Sequence, residues 1–306
     1  MRQYVGRFLG MLLLIGGMIS GICMGQTMAL DLQLDGEIMR GNGVTEVEEL
    51  RFRVRAGRVD STNPRRIGYV IDNKGRVTEQ RQYEYEGDAE VVRQYAYNNR
   101  GDISRYSSLT PDCDGRMIDV EWSYRYRGDL MLEKSNNREP KQILYTYKRK
   151  RLIKEVTQDS SGRKTWGTRH YVYNTEGQLM MERYESDTYL EKLLSLYDEF
   201  GNRIEYKEIA FRQFFGETKV VVKRWERYIY DSSQRLIGRI ILDEEGNPFD
   251  AVLFMYDGKG RLSREVFSGH ELVYSYDEDD NLLEVLKRNK VGVVMGLTVY
   301  RYQFKG

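Results

Sequence analysis

The nine residues YVYNTEGQL, Tyr171 to Leu179, decide the fold. Side chains alternate along a strand, so Tyr171 and Tyr173 lie on one face. Asn174 opens a turn, where its side-chain oxygen caps backbone amides. Gly177, three residues on, supplies the left-handed position of a type I turn with a bulge. Leu179 then returns on the outgoing strand. The stretch is predicted to be a β-hairpin.

Its pattern recurs along the chain. Tyr69 opens YVIDNKGRV, Tyr95 YAYNNRGDI, Tyr124 YRYRGDL and Tyr145 YTYKRKRL. Leu196 opens LYDEFGNRI, Tyr228 YIYDSSQRL, Met255 MYDGKGRL, Tyr274 YSYDEDDNL and Tyr300 a truncated YRYQF. From Ile71 to Tyr302, the second aromatic positions stand 26, 29, 21, 26, 24, 33, 26, 20 and 26 residues apart, and the departures from 26 read as loop insertions. The returning aliphatics Val77, Ile103, Leu179, Leu262 and Leu282 keep one offset, and Leu236 joins them although Gln234 replaces the glycine. A charged second turn follows each return, as in TQDSSGRK from Thr157 and LDEEGNPF from Leu242. Each repeat is therefore one hairpin. The expected fold is all-β: tandem β-hairpins in a long antiparallel meander of about twenty strands. SDTYLEKLLSLYDEF, from Ser186, has the best helical periodicity, but it runs into a repeat turn and reads as strand.

Residues 67–306 form this array of about ten units. Residues 26–66 are less regular. Leu30 to Met39 and Val47 to Gly57 read as strands around the turn RGNG, a cap for the array, with DSTNPRR (Asp60 to Arg66) as the joint.

The unit resembles the YD repeat of the Rhs family of bacterial exported proteins. Tyr197-Asp198, Tyr230-Asp231, Tyr256-Asp257 and Tyr276-Asp277 carry the pair, with Asn98 and Asn174 at the Asp position in two other copies. The resemblance implies a β-sheet that spirals into a shell, which in large members encloses a toxin domain. It also implies carbohydrate binding, as linked to other relatives. This chain has about ten units rather than dozens and no toxin domain after the last Tyr-x-Tyr, so a short curved or spiral YD/Rhs-type sheet is expected.

The 48 basic and 47 acidic side chains nearly cancel, which removes any global pull toward nucleic acid. Arg2 and Arg7, the apolar stretch Phe8 to Ile22, and small residues at Gly25 and Ala29 read as a signal peptide over residues 1–25. The protein is expected to be exported, and periplasmic, secreted or at the cell surface. Cys23 raises a lipid anchor, which Ile22 disfavours because a lipobox wants a small residue there. Cys113 would then have no intrachain partner. A membrane-spanning barrel is disfavoured, because in RLSREVF (Arg261 to Phe267) charges fall on both faces.

Catalytic signatures are absent. His270 opens HELVY, where Tyr274 stands in place of the second histidine of a zinc site; His170 reads as an ordinary strand residue. GKGRLS, from Gly258, lies in a turn with no helix behind it, and DEDDN (Asp277 to Asn281) lacks the glycine of a calcium loop. No catalytic, cofactor or metal residue is assigned. The tyrosines are expected to pack the sheet through cross-strand aromatic pairs. Trp122, Tyr124 and Tyr126 share one strand face and, with Trp166 and Trp225, are the candidate ligand surface. Two RGD tripeptides, Arg100-Gly101-Asp102 and Arg127-Gly128-Asp129, fall in hairpin turns. The expected function is a non-catalytic binding or structural surface in the bacterial envelope, for glycan or protein. The alternatives are a carbohydrate-active hydrolase using a carboxylate pair and an adhesin presenting the RGD turns.

Overall fold

The computed structural model describes residues 36–83, 91–111, 116–138, 141–214 and 217–305. The segment expected to be a signal peptide, Cys23 and Cys113 lie outside these residues. A short helix, α1 (Gly36–Gly41), precedes twenty strands. These are β1 (Val44–Arg55), β2 (Arg58–Ile71), β3 (Val77–Tyr83), β4 (Val91–Tyr97), β5 (Ile103–Pro111), β6 (Met117–Arg127) and β7 (Leu130–Asn136). Next come β8 (Lys141–Lys148), β9 (Arg151–Asp159), β10 (Thr165–Tyr173), β11 (Leu179–Glu185), β12 (Tyr189–Tyr197), β13 (Arg203–Phe214) and β14 (Glu217–Tyr230). The last are β15 (Leu236–Leu242), β16 (Pro248–Tyr256), β17 (Leu262–Val266), β18 (His270–Tyr276), β19 (Leu282–Asn289) and β20 (Val294–Phe304).

Each strand pairs antiparallel with its neighbour in sequence, and β1 also pairs with β20, from Val44 opposite Phe304 to Phe52 opposite Leu297. The meander therefore closes into a barrel, which leaves no free sheet edge. This corrects the expected curved or spiral sheet. Of the cap expected over residues 26–66, residues 26–35 lie outside the described residues; residues 44–55 are the closing strand β1, and residues 60–66 run inside its partner β2 rather than forming a joint. Gly36 to Met39, read as strand, lie in α1, while the Ser186 stretch is β12, as expected.

The turns follow the sequence reading in detail. In the Asp257 turn, Gly260 N–H donates to the Asp257 carbonyl (2.9 Å) and Asp257 N–H to the Arg261 carbonyl (2.9 Å). The Asp257 carboxylate accepts from the amides of Lys259 and Arg261, both at 2.9 Å. The register shifts between Met255 and Tyr256, the bulge that the positive-φ Gly260 (φ 83°) requires. The same turn recurs at the opposite rim around Asp243 and Asn289, and around Asp159 in a form one residue longer, closed by Asp159 N–H donating to the Lys164 carbonyl. The uneven spacing has a different cause from loop insertion. The 33-residue step spans the long strands β13 and β14, of 12 and 14 residues. The 20-residue step spans β17 and β18, of 5 and 7.

The tyrosine face is the inner one. Contacts that skip a strand occur on it, as when Lys223 of β14 reaches Tyr189 and Glu191 of β12 (2.5 and 2.6 Å). Outward pairs, such as Arg125–Glu133 (2.6 Å) and Arg227–Glu205 (3.0 Å), join adjacent strands, as diverging side chains on a convex wall must. Twenty strands tilted as barrels require make a ring about 40 Å across if round. The inward tyrosines of the turn ends are half-buried rather than buried, as solvent inside such a ring would leave them.

Candidate functional site: the lumenal wall

Eight of the second tyrosines form a girdle near one rim. The hydroxyls of Tyr97, Tyr126, Tyr173 and Tyr197 donate to the carbonyls of Val77, Ile103, Leu152 and Leu179 at 2.6 to 2.9 Å. Tyr230, Tyr256, Tyr276 and Tyr302 do the same to Arg203, Leu236, Leu262 and Leu282 at 2.7 to 3.0 Å. Each acceptor is the first or second residue of the strand paired with the tyrosine's own hairpin. The arginine after the turn joins in. Arg261 pairs with Asp257 (2.7 Å) and lies over the Tyr276 ring of the next repeat (4.6 Å), and Arg76 and Arg235 hold Tyr97 and Tyr256 likewise (4.2 and 5.0 Å). The Tyr, Asp and Arg of the repeat thus form one clasp between successive hairpins. The expected aromatic pairing is the minor device. Among the described residues, tyrosine rings meet one another at Tyr95–Tyr106 (5.3 Å) and Tyr184–Tyr189 (6.2 Å).

The first tyrosines lie deeper, among acids. The hydroxyls of Tyr171, Tyr228 and Tyr274 donate to Glu155 (3.1 Å), Glu226 (2.6 Å) and Glu265 (2.7 Å). Burial first, and the neighbouring carboxylate second, push the Tyr171 and Tyr274 hydroxyls well above the usual phenol range, so both stay protonated donors. Burial and the hydrogen bond to Glu226 push Tyr228 up to about 12. Burial also raises the Glu155 carboxyl above the usual carboxylate range, against the pull of Arg169. Glu182, across Tyr171 from Glu155, is tied to Arg169 (2.9 Å). Glu155 and Glu182 are the lumenal carboxylates that flank Tyr171.

Trp122, Tyr124 and Tyr126 do share a face, and it is the inner one. The strand register sets Tyr95 opposite Tyr106 and Tyr106 opposite Trp122, so a row of rings crosses β4, β5 and β6. The Lys134 ammonium lies over Trp122 (4.3 Å) and Tyr124 (5.6 Å). Trp166 sits toward the rim beside Lys141 (5.9 Å). Trp225 points outward, held by Lys207 over its ring (3.3 Å) and by its Nε1–H donating to Glu205 (3.0 Å). The five residues therefore do not make one surface. Tyr95 and Tyr106 were legible only through the register, which brings three strands into one row.

No family model and no curated protein matches the chain. Several solved structures are similar to it. A porin-like protein from Bacteroides uniformis has 11% identity and a TM-score of 0.37, over 86% of this chain and 97% of that one. A porin-like protein from Bacteroides vulgatus has 12% identity and a TM-score of 0.36, over 69% of this chain and 94% of that one. The TcdB2-TccC3-Cdc42 complex has 11% identity and a TM-score of 0.34, and the chain covers 16% of that protein's length. Likeness this distant fixes no family; the fold rests on the strand pairing.

The two RGD turns lie side by side on one rim. Arg100 of the first is 3.8 Å from Asp129 of the second and 3.9 Å from its own Asp102. The arginine and aspartates of the two motifs thus face each other. His270 stacks on Phe267 (4.4 Å), and His170 points outward 3.6 Å from Glu185. Asp277 accepts from Asn281 N–H (2.8 Å) as a turn cap. Among the described residues no group of three or more metal-ligating side chains converges, and no helix is long and apolar enough to cross a membrane.

Proposed function

We propose that the chain is an exported, non-catalytic envelope protein of YD-repeat type whose barrel binds its ligand, a glycan, on the lumenal wall. The observation that carries this reading is the transverse row Tyr95–Tyr106–Trp122, half-buried rings on the inner face of the barrel. Such rings stack on sugar faces. The outer wall supports a barrel standing in water. Arg81, Arg105, Lys154, Arg183, Lys207, Arg264 and Arg288 have outward register, and each such cation costs about 2–4 kcal/mol at a bilayer midplane. Glycan-array binding together with a reducing-sugar release assay tests the function. Binding without release is expected. Release that stops in Glu155→Gln or Glu182→Gln would replace the reading by a hydrolase using that carboxylate pair.

A second reading places the barrel in an outer membrane. It is favoured by the outward Leu196, Ile229, Leu253 and Met255 on β12 to β16, each 45 to 56% exposed. Carbonate extraction of the membrane fraction separates the two, since a spanning barrel stays with the lipid and a water-filled envelope barrel is released.

A further inference from the structure

Charge is not spread evenly around the lumen. On β3 to β8 the carboxylates Glu79, Asp119, Glu121 and Glu133 all have outward register. The cations Arg93, Lys134 and Lys141 of the same strands have inward register. Among the described residues, no carboxylate of these six strands faces the lumen. Glu155 of β9 is the first to do so. Beyond it, inward cations are met by inward acids: Arg169 by Glu182 (2.9 Å), Lys223 by Glu191 (2.6 Å) and Arg224 by Glu226 (2.8 Å).

Within the basic sector, Arg93 and Lys134 rest on uncharged partners. Arg93 donates to the Gln80 amide oxygen (2.9 Å), and Lys134 lies over Trp122 and Tyr124. Desolvation there lowers the Lys134 pKa, with only Glu155 pulling it back. A carboxylate delivered to this wall would gain a charge-assisted bond without breaking an ion pair. The ring row Tyr95–Tyr106–Trp122 runs through the same sector, with Arg93 two residues before Tyr95 on the same face and Lys134 one register step from Asn136, the residue opposite Trp122. Flat apolar faces and negative charge are therefore wanted together, and a sugar acid chain offers both.

We propose that the β3 to β8 sector of the lumen binds an acidic glycan of the uronic acid type, with ring faces on Tyr95, Tyr106 and Trp122 and carboxylates on Arg93 and Lys134. This rests on the lumenal glycan reading and names its ligand class. The test titrates the intact barrel with oligogalacturonate, with its fully methyl-esterified neutral form, and with oligo-deoxythymidylate, which also carries rings and negative charge. Oligogalacturonate should bind, and esterification should weaken it about tenfold or more. Arg93→Gln and Lys134→Met should each cause a comparable loss at unchanged melting temperature, while the outward Lys192→Met should cause none. Equal binding of the ester overturns the acidic ligand and leaves the glycan reading standing. No saccharide binding here or on the array overturns both. Tighter binding of the oligonucleotide, or an equal loss in Lys192→Met, overturns the proposal.

Discussion

Tyr256 shows what a single repeat residue does. Its ring spans from its own strand to the Leu236 carbonyl (2.8 Å) and lies under Arg235, so one side chain joins two hairpins. Removing the hydroxyl leaves the carbonyl to lumenal water. Tyr256→Phe should therefore cost about 0.5–1.5 kcal/mol, read as a lower urea midpoint at constant slope. Gln234 shows the opposite case. It occupies the glycine position of its turn at φ 63°, a conformation that costs an L-residue about 1–2 kcal/mol. Gln234→Gly should raise stability by up to about 1 kcal/mol, net of the extra chain entropy glycine loses. Both positions were readable from the sequence, because parity and turn spacing are local. The carbonyl acceptor was not, since it belongs to the adjacent strand.

The hairpin is where acid acts. Hydrogen bonds from backbone and side chain hold the carboxyls of Asp198, Asp231, Asp243 and Asp257 below the usual carboxylate range. A lowered folded pKa means the turn contribution is complete above the unfolded value near 3.9 and is lost as pH falls through the folded values. The melting temperature should therefore hold from pH 7 to about 5 and drop below pH 4. Asn174 caps the same turn through its amide oxygen, which accepts from Gln178 N–H (2.8 Å) without a charge. A variant with Asn at 198, 231 and 257 should keep its pH 7 melting temperature and lose less between pH 5 and pH 3. If its acid profile matches the parent's, the turns are not the acid-sensitive element. The turn-level RGD reading has a comparable test. With Arg100 facing Asp129 and Asp102, cells plated on the immobilised barrel should show no attachment that an RGD peptide competes. Turn chemistry was fully legible in the sequence. The pairing of one turn with the next was not, because it depends on how the strands stack sideways.

Closure is the property that belongs to the whole molecule, and nothing local encodes it. Each hairpin specifies its own register through its turn, but the sum of twist and tilt over twenty strands decides whether the last meets the first. The sequence therefore reads as an open meander, and the lumen with its basic sector stays hidden even though Arg93 and Tyr95 share the parity of Tyr97, and Trp122 that of Tyr126. Counted from Trp122, Asp119 and Glu121 fall on the opposite face of β6. Only closure makes the Trp122 face a lumen. The seam can be tested directly. Glu48 of β1 lies opposite Arg301 of β20, with their charged groups 3.7 Å apart. In a chain with Cys23 and Cys113 replaced by Ser, the pair Glu48→Cys and Arg301→Cys should cross-link under mild oxidation. The denatured chain would then run faster on a non-reducing gel. The link would also remove loop entropy from the unfolded chain worth about 5 kcal/mol, visible as a large rise in melting temperature. In an open or spiral sheet the two ends stand apart, and both thiols would remain free to react with maleimide while the protein is folded.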